Sequence, residues 1–184
     1  MRVLIRATGL IMLTLCAGCT NSETERTARQ PAASAPSDAA LPLPELCGAP
    51  QPAPQDPFLF NRTAAERDRI VRISDPAEYQ RGGVAHFDGL DRVRLALLLQ
   101  RRFIDPYERQ NEAPNAWQIF QFMCSHPTVR AAGYVVSADR GDYRTSIEAI
   151  MSPTIDAPLR ADTRTFCTDT DGLELDASME CYWD

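Results

Sequence analysis

From residue 20 to residue 40 the chain reads TNSETERTARQPAASAPSDAA, without a single Leu, Ile, Val, Phe, Met, Tyr or Trp. Such a segment has no large apolar surface to bury, so it cannot offset the entropy lost on ordering. The run CGAPQPAPQDP, which starts at Cys47, keeps the same Pro- and Ala-rich character. Of the 184 residues, the foldable part is therefore expected to be one domain of ordinary size over 57–184, behind a tether over 19–56. Cys47 is the point where the end of the tether could be fastened to the domain. Treated as a flexible chain, residues 20–46 reach on the order of 30 Å.

The sequence ahead of the tether, MRVLIRATGLIMLTLCAGC, has a different plan: Arg2 and Arg6, an uncharged apolar stretch over 7–17, then small residues. That is the order of a secretory signal. The apolar stretch is shorter than the roughly 20 residues a membrane-crossing helix needs. Ala17, Gly18 and Cys19 resemble the lipobox of bacterial lipoproteins, with Cys16 in the place where Leu is usual. The resemblance implies removal of residues 1–18 and acylation of Cys19, which would tie the chain durably to a lipid bilayer. Thr20 follows the cysteine, where an Asp would retain such a protein in the inner membrane. The expected address is thus the periplasmic face of the outer membrane.

Charge restricts the partners. All 19 basic residues are Arg. Loss of Arg2 and Arg6 with the signal takes the formal net charge from −6 to −8. A chain without excess cations releases few counterions from phosphates, so nucleic acid is not an expected partner. Residues 161–184 carry Asp162, Asp169, Asp171, Glu174, Asp176, Glu180 and Asp184 against one base, Arg164. One end of the domain should therefore present a negative field.

Hydrophobic periodicity gives helices first and strands after. Asn61 reads as a helix-start residue, and Thr63 with Glu66 has capping-box spacing ahead of a helix that stops near Ser74. DPAEY adds a short turn. Asp88 is a candidate cap for GLDRVRLALLLQRRFI, a broadly apolar helix ended by Asp105 and Pro106. A third helix runs through PNAWQIFQFMCSH, with Trp117, Phe120 and Cys124 on one stripe. GYVVSA and YRTSIEAIM flank DRGD as a hairpin. Beyond residue 172, Leu173, Leu175, Ala177, Met179, Cys181 and Trp183 alternate with polar residues, as in a strand with one buried face. The expected class is α+β: about three helices followed by an antiparallel sheet of hairpins, stapled by disulfides.

With Cys16 removed and Cys19 acylated, Cys47, Cys124, Cys167 and Cys181 remain, an even number that suggests two disulfides and allows three connectivities. No two of them form a CxxC pair and His is scarce, so neither a zinc site nor any other metal or cofactor is expected. The C-terminal stretch holds a conflict. A two-residue turn at Asp171–Gly172 would place Cys167 opposite Asp176, on the face away from Cys181, and side-chain alternation would then forbid a bond between them. A wider loop over 168–180 lets Cys167 and Cys181 meet. The closed loop is the favoured alternative, and Cys47 would then bond Cys124.

Motifs for chemistry are sparse. CTDTDG places Asp169 and Asp171 like two acids of a DxDxDG calcium loop, but Cys167 replaces the first and Ser178 stands at the twelfth position. GxSxG, HExxH and a phosphate loop are absent. His86, in GGVAHFDG, and His126, beside Pro127, read as loop or capping residues, and Ser125 next to His126 is no nucleophile–base pair by adjacency. An enzyme is not expected. Two classes remain: a binding module that engages another envelope protein through Asp169, Asp171, Glu174, Asp176 and Glu180, as inhibitors and immunity proteins of cationic hydrolases do, or an accessory lipoprotein of an envelope assembly.

Overall fold

The computed structural model describes residues 41–73, 75–80 and 82–183. The signal, the lipobox with Cys19 and the first part of the tether lie outside these residues. In chain order the elements are α1 (Leu43–Cys47), α2 (Ala64–Val71), a 3-10 helix (Pro76–Gln80), β1 (Val84–Leu90), α3 (Arg92–Gln100), α4 (Ala116–Ser125), β2 (Arg130–Val136), β3 (Thr145–Ser152), α5 (Ala157–Phe166), β4 (Gly172–Leu175) and β5 (Met179–Tyr182). The five strands form one sheet in the order β1-β2-β3-β5-β4, with every neighbouring pair antiparallel. The class is α+β. The order of elements differs from the expected one, because β1 precedes α3 and α5 separates β3 from the last two strands.

The β1 correction has a local cause. Asp88 does not cap a helix; it lies in β1, and Gly89 at φ 58° carries the strand on to Leu90, which pairs with Ala131. The cap of α3 is Asp91, whose Oδ1 accepts the Arg94 amide at 2.9 Å. The helix also ends early, at Gln100. Arg102 takes φ 61°, and Phe103 and Ile104 enter the core with no exposed surface from outside the helix. At α2 the expected capping box is replaced: the Thr63 side chain makes no cap bond, the Thr63 amide donates to Asn61 Oδ1, and Glu66 pairs instead with Arg101. The box forms at α4, where Asn115 and Gln118 bond reciprocally at 2.9 and 2.8 Å.

β2 has an irregular neighbour on both sides at the same level. Phe87 and Leu90 of β1 pair with Gly133 and Ala131, and Ile147 and Ala149 of β3 pair with Gly133 and Ala132. β1 thus sets two residues, Asp88 and Gly89, against Ala132, and β3 inserts Glu148 between the partners of Ala132 and Gly133, a pair of β-bulges that bends the sheet there. Gly133 is required beside it: a Cβ would lie 2.1 Å from the Ser146 carbonyl oxygen.

One face of this bent sheet is covered by helices. Leu95, Leu98 and Leu99 of α3 and Ile119, Phe120 and Met123 of α4 share a core cluster with Leu90, Ala131, Val135, Ile147 and Ile150 of the strands. Side-chain alternation turns the rows Ala132–Ala149–Tyr182–Gly172 and Arg130–Met151–Glu180–Glu174 to the opposite face. Arg67 of α2, fully buried, holds the top of β2. Its Nη1 donates to the Val136 carbonyl at 2.7 Å, Nη2 to the Tyr79 hydroxyl at 2.7 Å and Nε to Asp68 Oδ1 at 3.0 Å. Tyr79 in turn donates to Asp68 at 2.7 Å, and burial together with that bond pushes its phenol well above the ordinary range.

The folded part begins earlier than residue 57. Leu46 of α1 is 5% exposed and belongs to the core cluster. Residues 48–63 are held by side chains of the segment after α3 and of the β2–β3 loop: Tyr107 donates to the Pro52 carbonyl, Arg102 to Gln55 and to the Leu59 carbonyl, and Tyr143 to the Asn61 carbonyl. The expected disulfides are both present. Cys47–Cys124 ties α1 to α4, and Cys167–Cys181 ties the end of α5 to β5. The first closes a far longer loop than the second, with sequence separations of 77 and 14.

Candidate docking surface

The C-terminal surface is built on α5, which the sequence reading left out. Asp156 caps it, accepting the Leu159 amide at 2.9 Å, and Pro158 sits in the first turn where its missing amide costs nothing. Leu159 and Thr163 are buried and Phe166 is half-buried, a stripe at helical spacing. An Asp followed two residues later by Pro, then Leu159, Thr163 and Phe166, is the sequence signal that would have found this helix. The Thr163 hydroxyl donates to the Met179 sulfur at 3.2 Å, and Cys167, the cap residue at the C-terminal end, bonds Cys181.

This bond decides the conflict in favour of the closed loop. Asp171–Gly172 is not a hairpin turn. Gly172 opens β4 opposite Tyr182, and the chain reverses over 176–178, after Leu175 has paired with Met179. Arg160 holds the reversal from α5, its guanidinium donating to the carbonyls of Leu175 and Asp176, the latter at 2.7 Å. At the other end the Tyr182 amide donates to Thr170 Oγ1 at 3.2 Å and the Asp171 amide to the Tyr182 carbonyl at 3.0 Å. Met179, Cys181 and Trp183 face the core as their alternation requires. Leu173 shares the face of Cys181 but sits on the edge strand, where it stays 44% exposed.

Asp169, Asp171, Glu174, Asp176 and Glu180 are all exposed. Glu174 and Glu180 are direct cross-strand partners at the outer end of the row that continues through Met151 to Arg130. Like charges directly opposite in a sheet are destabilising. Among the described residues, none of Asp169, Glu174, Asp176 and Glu180 forms a salt bridge. On the same face, two residues along β5, Tyr182 is 40% exposed, between the small residues Gly172 and Ala149 of the neighbouring strands. The hairpin thus offers an aromatic side chain bordered by carboxylates on a strand pair fastened at both ends.

Beside the hairpin, α4, α5 and residues 109–114 enclose a cleft of about 640 Å³. Phe122 and Phe166, stacked directly on each other with ring centroids 4.3 Å apart, line it together with the buried Trp183. His126, the C-terminal cap residue of α4, places Nε2 at 3.0 Å from Asp162 Oδ2 of α5, and Asp169 stands on the rim. The pair orients the imidazole. The hydroxyl of Ser125 points into its own helix, donating to the Gln121 carbonyl at 3.4 Å, and no hydrogen bond joins it to His126 among the described residues. His86 lies elsewhere, 72% exposed on the outer face of β1, with Nδ1 at 3.7 Å from Glu148. Among the described residues no three His, Cys, Asp or Glu side chains are grouped as a metal site, and no helix is long and apolar enough to cross a membrane. The cleft joins residues that the sequence reading kept apart: Asp169 belongs both to it and to the acidic stretch.

Comparison with protein-family models, with curated proteins and with solved structures finds no significant match.

Proposed function

We propose that this chain is a lipoprotein anchored through Cys19 at the periplasmic face of the outer membrane, and that its folded part is a binding module for a cationic envelope protein, acting as an inhibitor or immunity protein of a hydrolase. The observation that carries the binding role is the Glu174–Glu180 pair: two exposed carboxylates, directly opposite on a short edge hairpin, at a cost in stability that a cationic partner would reverse. Tyr182 beside them supplies the kind of large, partly exposed side chain that anchors interfaces. The disulfide and Arg160 hold the hairpin in place, so little ordering entropy is lost when a partner docks.

The test uses the exported, acylated chain in detergent and a panel of cationic peptidoglycan hydrolases. Binding that weakens steeply with rising salt and is lost in Glu174→Gln/Glu180→Gln supports the reading. Salt-insensitive capture by a large envelope complex, with the double variant binding as well as the native chain, would support the accessory role instead. Mass spectrometry of the same preparation tests the anchor: an intact Met1 and no acyl mass on Cys19 would remove it.

A further inference from the structure

We propose that the cleft between α4 and α5 receives an arginine side chain of the cationic partner, an inference that rests on the reading of the neighbouring hairpin as the docking surface. A cleft of about 640 Å³ lies within the range of those that take small ligands, roughly 300–1,000 Å³, and so has room for one long side chain. Its walls and its rim differ in chemistry. Phe122 and Trp183 are buried beneath it and Phe122 stacks on Phe166, which leaves the half-buried Phe166 ring as the aromatic surface against which the methylene stem or planar guanidinium of a long side chain packs. Two carboxylates border the mouth. Asp162 gives one oxygen to His126 and is 60% exposed, and Asp169 is exposed and outside every salt bridge among the described residues.

The cation already at the rim does not fill this role. Arg109 donates from Nη2 to Glu112 and from Nε to the Asn111 carbonyl, each at 3.0 Å, so its charge and its fork are engaged within its own loop. Guanidinium is favoured over ammonium because its donors form a planar fork that can serve two carboxylates while the Phe166 ring takes its face. Arg is also among the residues that most often anchor interfaces.

The probe is a blocked Gly-Arg-Gly peptide, titrated into the full chain in detergent while tryptophan emission is followed. Matched peptides carry lysine or the neutral isostere citrulline. Saturable binding of the arginine peptide, at least about tenfold weaker with citrulline and in Asp162→Asn/Asp169→Asn, is expected from the loss of a charge-assisted pair. Thr165→Arg, on the exposed side of α5 at the cleft, is expected to fill the site from within the chain and to abolish peptide binding without lowering the melting temperature. Equal binding of the arginine and citrulline peptides, or no saturable change with either, overturns the inference. Tighter binding of the lysine peptide overturns the guanidinium assignment. The hydrolase separates this inference from the docking reading. If it binds the cleft variants as well as the native chain but fails with Glu174→Gln/Glu180→Gln, the cleft is not part of the interface. If it fails with the native chain while the arginine peptide saturates, the docking partner is wrong and the cleft stands.

Discussion

The charges around Arg67 and the charges on the C-terminal hairpin are handled in opposite ways. Arg67 is fully buried, and each nitrogen of its guanidinium has a partner: the Val136 carbonyl, the Tyr79 hydroxyl and Asp68. It also lies over the Tyr143 ring, 4.6 Å from the centroid. Glu174 and Glu180 are exposed and opposite each other, with no salt bridge to either among the described residues. The first arrangement works inside the fold. The second works against the fold, since like charges directly opposite in a sheet repel.

The contrast can be broken at either end. Arg67→Ala should cost about 3–5 kcal/mol in urea unfolding, because the Val136 carbonyl, Tyr79 and Asp68 are left without their donor. Arg67→Lys should recover little of it, since an ammonium cannot fork between a carbonyl and a phenol. A smaller loss, about 3 kcal/mol on the loop-closure estimate for a separation of 14, is expected for Cys167→Ala/Cys181→Ala, and hydrolase binding should weaken with it. If stability falls but binding does not, the rigidity of the hairpin is irrelevant to docking.

Asp91 gives a carboxylate that does structural work, for comparison with the hairpin acids. Burial alone would raise its pKa, but the Arg94 amide and guanidinium outweigh that and lower it. Its folded value therefore lies below its unfolded one. Its contribution is complete above the ordinary carboxylate range and is lost as pH falls through the depressed value. Asp91→Ala should cost about 1 kcal/mol at neutral pH, with the gap to the native chain narrowing below about pH 4. The smallest effect should have the opposite sign. Glu174→Lys converts a repelling cross-strand pair into an attracting one and should stabilise by about 0.2–1 kcal/mol, while binding of a cationic partner declines. Loss of stability in that variant would show that the Glu174 carboxylate has a role inside the fold.

What could be read from the sequence follows from where the signal was local. α4 was legible because the Asn115–Gln118 box and the stripe through Trp117 and Phe120 lie within a few residues of one another. The β2–β3 hairpin was legible from two apolar runs and the turn between them. β1 was not, because its alternation is short, is interrupted at Gly89 and includes an Asp that looks like a cap. The Asp171–Gly172 turn, the alternative that the sequence did not favour, is absent: a strong local turn pair is overruled by a disulfide whose two ends are 14 residues apart. Of the docking surface, the five acids and Cys167–Cys181 were visible in advance. The cleft was not, since it exists only where α4 and α5 meet, two helices separated in sequence by β2 and β3.

The Cys47–Cys124 bond also determines how the domain bears mechanical load. A pull along the chain from the N-terminal side that overcomes the contacts of α1 reaches Cys47 and crosses the sulfurs directly into α4, whose side chains Ile119, Phe120 and Met123 are embedded in the core. Residues 48–63 are short-circuited, so their hydrogen bonds to Tyr107, Arg102 and Tyr143 carry none of that tension while the bond is intact. With the sulfurs reduced, the same pull would peel this segment away one contact at a time.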